Sequence, residues 1–326
     1  MKHAKSVGSI FRRLSPALLL PILLVFQATG QAQTKIDATT AAKLQVGFSI
    51  GIQKINDSSM RYAKSVGIDY IEVGGTGAFI DKNRNFIVSD EALMESARKA
   101  KKTADAAGII IWSIHMPFGK HIDLSEPNDT ARKSVVAIHD KIIDKICRIL
   151  QPKIVLFHPS WFLGLNERPL RIAQLIKSCN SLNPRVRDLG ATMVIENMLG
   201  FERLRSEKLE RPLCRTVEET VKIMGLLPAS IGSAIDMNHI KYPEKLILAM
   251  GDRLKTLHVA DGTGKQENHY LPCSHKGLND WNKILDALYK VHYNGPFMFE
   301  CHYQDFKQLP ECYNELYQSY ITSLKK

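Results

Sequence analysis

Residues 254–281, LKTLHVADGTGKQENHYLPCSHKGLNDW, hold a complete strand-to-helix unit with its polar residues gathered at one end. An apolar run, LKTLHVA, reads as a short strand that ends in His258 and Asp261. A polar, Gly-containing loop with Glu267, His269 and His275 follows, then Gly277 and a helix opening near Asp280. Imidazoles and carboxylates crowded just past a strand end are the pattern of a metal or acid/base site. One such unit leaves the fold open; its repetition decides it.

Working outward, the same alternation runs through the chain. Strand patterns occupy 44–51 (LQVGFSIG), 68–75 (IDYIEVGG), 109–115 (IIIWSIH), 153–158 (KIVLFH), 192–197 (TMVIEN), 230–239 (SIGSAIDMNH) and 296–300 (PFMFE). Helical patterns fill the gaps over 56–66, 89–107, 129–150, a stretch reaching 189, 216–225, 243–250, 280–291 and the C-terminal segment. The strands are near-continuous apolar runs, as expected of parallel strands covered on both faces. Eight strands, each followed by a helix, predict an α/β fold, a (β/α)₈ TIM barrel forming a single domain over 44–326. A doubly wound open sheet is the alternative, but no G-x-G-x-x-G follows the first strand.

Residues 1–32 carry Lys2, Lys5, Arg12 and Arg13 ahead of an apolar core at 14–26 and a small-residue site at Gly30-Gln31-Ala32. This is the pattern of a cleaved signal peptide, and the core is short for a membrane span of ~20 residues. Export to the periplasm or medium is expected, with 33–43 as a polar linker and no membrane attachment after cleavage. Removing the leader takes four positive and no acidic charges, so the net charge falls from +11 to +7. That mild, scattered surplus is no nucleic-acid footprint. Six cysteines lack any C-x-x-C and their spacing predicts no pairing; Cys147 and Cys179 read as buried thiols, while Cys273 and Cys301 stand beside site candidates. Trp112, Trp161 and Phe118 read as packing residues more than as sugar platforms.

In a barrel of this kind the active site lies at the C-terminal ends of the strands. There the chain places Glu72, His115, His158, Glu196 with Asn197, Asp236 with His239, His258 with Asp261, and Glu300. Singly, each is an ordinary loop histidine or surface carboxylate. Buried ionised groups are costly unless paired or metal-bound, so seven successive strands ending this way point jointly to a site. Mixed carboxylate and imidazole donors suit Mn²⁺, Co²⁺, Zn²⁺ or Mg²⁺, and no thiolate stands at a strand end. No nucleophile elbow or P-loop is present. A divalent ion beside two carboxylates suits moving a proton on a carbon next to a carbonyl.

The phrases GIDYIEVG, FHPS, VIEN, AIDMNH, LHVAD and FMFE resemble the xylose isomerase-like TIM barrel superfamily, across nearly the whole mature chain. The superfamily takes in sugar isomerases and epimerases, inosose dehydratases, hydroxypyruvate isomerases and the endonuclease IV group. The resemblance implies a metal held by Glu196, Asp236, His258 and Glu300, with Glu196 and Glu300 also the catalytic acid/base pair. It implies substrate contacts from His239, with Glu72 and Asn197 as further substrate-binding candidates. His115 and His158 are extra imidazoles of the kind the trinuclear endonuclease IV group uses, and Glu267-Asn268-His269 stands where that group has Asp-x-His. His115, His158, His239, Asp261, Glu267 and His269 are therefore candidates for a second metal or for the substrate. Gly262–Gly264 occupy the region where several epimerases carry an Arg.

Together these features predict an exported, metal-dependent isomerase or epimerase of a small sugar or keto-sugar, with neither nucleic acid nor membrane as a partner. A hydratase or dehydratase-type lyase on a keto-sugar is the second reading, and an endonuclease IV-like phosphodiesterase the third. A sugar-binding protein without catalysis is disfavoured because both glutamates are present. A homo-oligomer is compatible with the chain.

Overall fold

The computed structural model describes residues 41–325, so the expected signal peptide and most of the expected linker lie outside the described residues. Eight parallel strands run in chain order around one sheet: β1 (Val46–Gly51), β2 (Ile68–Gly74), β3 (Ile110–His115), β4 (Ile154–Phe157), β5 (Thr192–Glu196), β6 (Gly232–Asp236), β7 (Leu254–His258) and β8 (Phe297–Phe299). Strand β8 returns to β1 through Val46–Phe297 to Phe48–Phe299 pairing. The Val259 bridge to Phe299 joins β7 to β8 and closes the barrel. The expected (β/α)₈ TIM barrel is the observed one.

Between and after the strands lie α1 (Asp57–Ser65), α2 (Asp90–Ala107), α3 (Asp129–Ile142), α4 (Arg168–Arg187), α5 (Val217–Leu226), α6 (Pro243–Met250), α7 (Trp281–Lys290) and α8 (Gln308–Leu324). Asn56, Ser89, Asn128, Thr216 and Asp280 each cap their helix by accepting from a backbone N–H of its first turn, satisfying a donor that has no intrahelical partner. No helix among the described residues is long and apolar enough to cross a membrane.

The strand period of two builds the site in layers. Ile154, Leu156, Val194 and Ala234 form an apolar plug with Trp112 against it, and Trp112 donates its indole N–H to Thr256 at 3.2 Å. Two residues further along the same strands, on the same face, come Glu196 after Val194, Asp236 after Ala234 and His258 after Thr256. The plug makes a dry floor, and the next layer is the site.

Two features were not legible beforehand. The loops after β4 and β5 form a small antiparallel sheet, Leu163–Gly164 with Leu209–Glu210 and Leu204–Ser206. Arg168 pins it, reaching Glu210 at 2.9 Å and Glu219 at 2.7 Å. Cys273 and Cys312 form a disulfide, Cα–Cα 5.6 Å, that ties the β7–α7 loop to α8. Cys147 and Cys179 are buried free thiols, as expected, and Cys301 is a half-buried one.

Candidate active site

His258 is the hub. It is fully buried, with Nδ1 2.7 Å from Glu196 Oε1 and 2.8 Å from Glu300 Oε2. Its Nε2 lies 2.8 Å from Glu72 Oε1. With Nε2–H donated to Glu72, Nδ1 is the ring nitrogen placed between Glu196 and Glu300, where a bound cation would take the place of its proton. That is how a metal-ligating histidine is usually oriented.

Other imidazoles are fixed the same way. His115 Nδ1 contacts the Met116 carbonyl at 3.0 Å, His239 Nδ1 the Asn197 carbonyl at 3.1 Å, and His269 Nδ1 the Glu300 carbonyl at 2.7 Å. A carbonyl only accepts, so Nδ1 carries the proton in each and Nε2 is turned to the site. His239 and His269 converge through Nε2 on Glu267 Oε2, at 2.9 and 3.0 Å. His158 and His115 approach Glu196 Oε2 at 3.0 and 3.6 Å.

The carboxylates complete the donor set. Glu196, Asp236, His258 and Glu300 each bring a ligand atom within 4.8 Å of the others; so do Asp236, His239 and His269, and so do His115, Glu196 and His258. Glu196 Oε2 and Asp236 Oδ2 are buried without an aligned hydrogen-bond donor. Buried carboxylate oxygens left without a donor call for a cation. The residues therefore fit a divalent ion with oxygen and nitrogen ligands.

Electrostatics agree. Burial alone would depress the His258 imidazole, but Glu300, Glu72 and Glu196 outweigh it and push it well up. Burial is likewise overcome at His115, held at about 9 chiefly by Glu196, at His239, raised to about 10 by Asp236 and Glu267, and at His269, raised to about 9 by Glu267. Burial lifts Asp236 to about 6 against the pull of His239 and His269. At Glu300 burial is beaten by the His258 charge, which holds the carboxyl at about 2. Protons on these imidazoles do in the metal-free protein what a cation does when bound.

Not every expected residue reaches the site. Glu72, read as substrate-binding, is fully buried and accepts from Ser113 at 2.8 Å and Ser49 at 3.2 Å as well as facing His258. Its side chain stands behind the hub. Asn197 likewise has its amide spent on the β6 backbone, donating to the Asp236 carbonyl and accepting from the Asp236 N–H. Asp261 is turned away: its carboxylate accepts from Gly262 N, Asn279 N and the Trp281 indole. Gly277 lies against that carboxylate so closely that a Cβ there would collide with it.

Sequence reasoning missed Asn238, whose Oδ1 accepts from the backbone N–H of Asn268 and His269, both at 3.2 Å, and so seats the Glu267–His269 loop. Phe118, read from the sequence more as a packing residue than as a sugar platform, is exposed at the mouth and stacked on His158 at 4.0 Å between ring centroids. A cleft of about 330 Å³ opens between the ends of β1, β2 and β3, reaching His115 and Glu300 at its inner wall.

The family description "xylose isomerase-like TIM barrel" matches residues 60–319. The chain belongs to that family. An uncharacterized protein of Methanocaldococcus jannaschii is 20% identical over 257 residues, covering 74% of this chain and 96% of its own. Among solved structures, a D-tagatose 3-epimerase-like protein is 19% identical with a TM-score of 0.63, covering 85% of this chain and 98% of that one. A D-psicose 3-epimerase is 17% identical, TM-score 0.61, over 86% and 97%. A 3-keto-D-glucoside 4-epimerase from E. coli is 13% identical, TM-score 0.60, over 86% and 100%. At these identities the likeness speaks for the fold; the chemistry has to come from the residues.

Proposed function

We propose that this family member is an exported, divalent-metal-dependent isomerase or epimerase of a sugar or keto-sugar. The observation that carries the reading is the pair of carboxylates, Glu196 from β5 and Glu300 from β8, meeting at His258 Nδ1 from strands on different sides of the barrel mouth. Glu196, Asp236, His258 and Glu300 would hold the ion, which when bound polarises a substrate carbonyl or hydroxyl oxygen. Glu300 is the more exposed of the two, with its side chain 29% accessible against 1% for Glu196. It takes the proton from the carbon next to the carbonyl. Glu196 serves the opposite face, with His115 Nε2 3.6 Å from its Oε2 as the adjacent imidazole. The epimerases among the structural neighbours support this reaction class. The Cys273–Cys312 disulfide supports the exported setting, since such bonds persist in oxidising compartments.

Solvent-proton exchange into a ketose in D₂O tests the reading. Glu196→Gln and Glu300→Gln should each slow exchange by about 10²–10⁴-fold with the thermal melt unchanged; full exchange in either variant refutes the assignment. The second cluster, Asp236, His239 and His269 with Glu267 beside it, favours a second reading in which a further ion serves hydration or phosphodiester chemistry. Metal analysis of the purified protein separates the two: one tightly held ion per chain supports the isomerase reading, and two or three support the other.

A further inference from the structure

The apolar plug that floors the candidate active site has a second side. Beneath it, at the N-terminal ends of the strands, a cavity of about 290 Å³ opens under Trp112 and Ile154, bounded by the start of β7 and the α7–β8 turn. We propose that this cavity binds a neutral pyranose, at a site separate from the metal ligands. The proposal goes beyond the isomerase or epimerase reading and does not depend on it.

Trp112 supplies the platform. Its indole N–H is spent on Thr256 at 3.2 Å, across the barrel, and Tyr70 stands edge-on to it with ring centroids 5.7 Å apart. These contacts fix the ring, which stays half-buried and lines the cavity. An indole whose N–H is already engaged offers a ligand only apolar surface, which suits the C–H face of a pyranose. The polar rim is Asp252, Lys255, His292 and Asn294. All four are exposed, and among the described residues none of their side chains is engaged in a hydrogen bond or an ion pair. The rim is nevertheless held in place. The Lys255 stem lies against Gly232, where a Cβ would collide with it, and the Tyr293 hydroxyl donates to the Pro296 carbonyl at 3.0 Å beside Asn294. The Asp252 and Lys255 charges cancel, so an apolar ring edged by several free polar groups favours a neutral polyhydroxylated ligand over an ion. At organic-crystal density a hexose takes about 200 Å³, so about 290 Å³ holds one ring.

Methyl β-D-glucopyranoside is the probe, because its ring is locked and it has no carbonyl to react at the metal ligands. Titration of the full chain, followed by ligand-observed NMR, should saturate with a Kd of about 1 mM, as expected for a ligand of this size. Trp112→Leu and the double variant Asp252→Ala/Asn294→Ala should each weaken binding about tenfold, while Glu300→Gln, altered on the other face of the plug, should bind as the wild type does. The double variant changes exposed side chains alone, so it carries the test if Trp112→Leu does not fold. Lack of saturation by about 20 mM, wild-type affinity in the double variant, or a loss of binding in Glu300→Gln overturns the site. Inorganic phosphate that displaces the glucoside and binds more tightly overturns the neutral ligand class.

Discussion

Replacing Glu72 by Gln isolates the support of the hub from its chemistry. Glu72 lies behind His258, 2.8 Å from Nε2, and receives the Ser113 and Ser49 hydroxyls at 2.8 and 3.2 Å. Glutamine keeps the shape and one acceptor oxygen, and its amide N–H groups can be received by hydroxyls that rotate to suit. The fold should therefore survive with little loss. What disappears is the negative charge that anchors the Nε2–H and makes Nδ1 a better donor to a cation. A hydrogen bond to a charged group contributes about 1.5–3 kcal/mol, against about 1 kcal/mol for a neutral one. Losing such an outer partner typically weakens metal affinity about 10–100-fold, equivalent to about 1.4–2.8 kcal/mol.

The assay is competition for Mn²⁺ or Zn²⁺ against a chromogenic chelator, with urea melts alongside. The expected result is a weaker ion by one to two orders of magnitude and a nearly unchanged melt. If Glu72 instead contacted substrate, Glu72→Gln would raise KM and leave metal affinity alone. Wild-type affinity in the variant refutes the orientation assigned to His258.

Two further predictions concern stability. Removing the Cys273–Cys312 bond by paired serine substitution frees a 39-residue separation and should cost about 4 kcal/mol in the chain-entropy account; a fall of that order in the unfolding free energy from urea melts of Cys273→Ser/Cys312→Ser, reproduced by reductant on the wild type, checks it. His139 is buried on α3 against Phe157 with neither ring nitrogen bonded, and burial alone lowers it from 6.5 to about 3. Its folded value lies below the unfolded one, so its stability contribution is complete above about pH 6.5 and falls as the pH drops towards 3; at pH 5 the loss is about 2 kcal/mol. His139→Leu should remove that part of the acid destabilisation, and parallel stability–pH curves for the two proteins would refute it.

How much of this was readable in advance turns on depth along a strand. The apolar runs that end in Glu196, Asp236 and His258 were legible because a period of two lifts a polar residue one layer above a dry plug. IDYIEVG and TMVIEN look equivalent as text, each an apolar run reaching a Glu. Yet Val73 and Gly74 continue β2 beyond Glu72, whereas Glu196 is the last residue of β5. Glu72 thus sits inside the wall, where Ser49 on β1 and Ser113 on β3 flank it, and Glu196 ends its strand within reach of Asp236, His258 and Glu300. Position within the strand, more than residue type, separates a support from a ligand. Asp261 shows the limit in the other direction. Three residues past the end of β7, its backbone pairs with Tyr270 and its carboxylate goes to the Trp281 indole, a contact set by the docking of α7 that no local pattern encodes. The disulfide depends on longer-range geometry still, because only barrel closure returns α8 to the β7–α7 loop. That bond, the Asn238 bridge and the Asp261 anchor act on the same loop, the one bearing Glu267 and His269. A loop left to itself would not place two side chains within 3.0 Å of each other and one of them 2.9 Å from His239, because ordering each residue costs about 1–2 kcal/mol of backbone entropy. Three independent restraints on one loop are what a second ligand cluster needs in order to exist before anything binds to it.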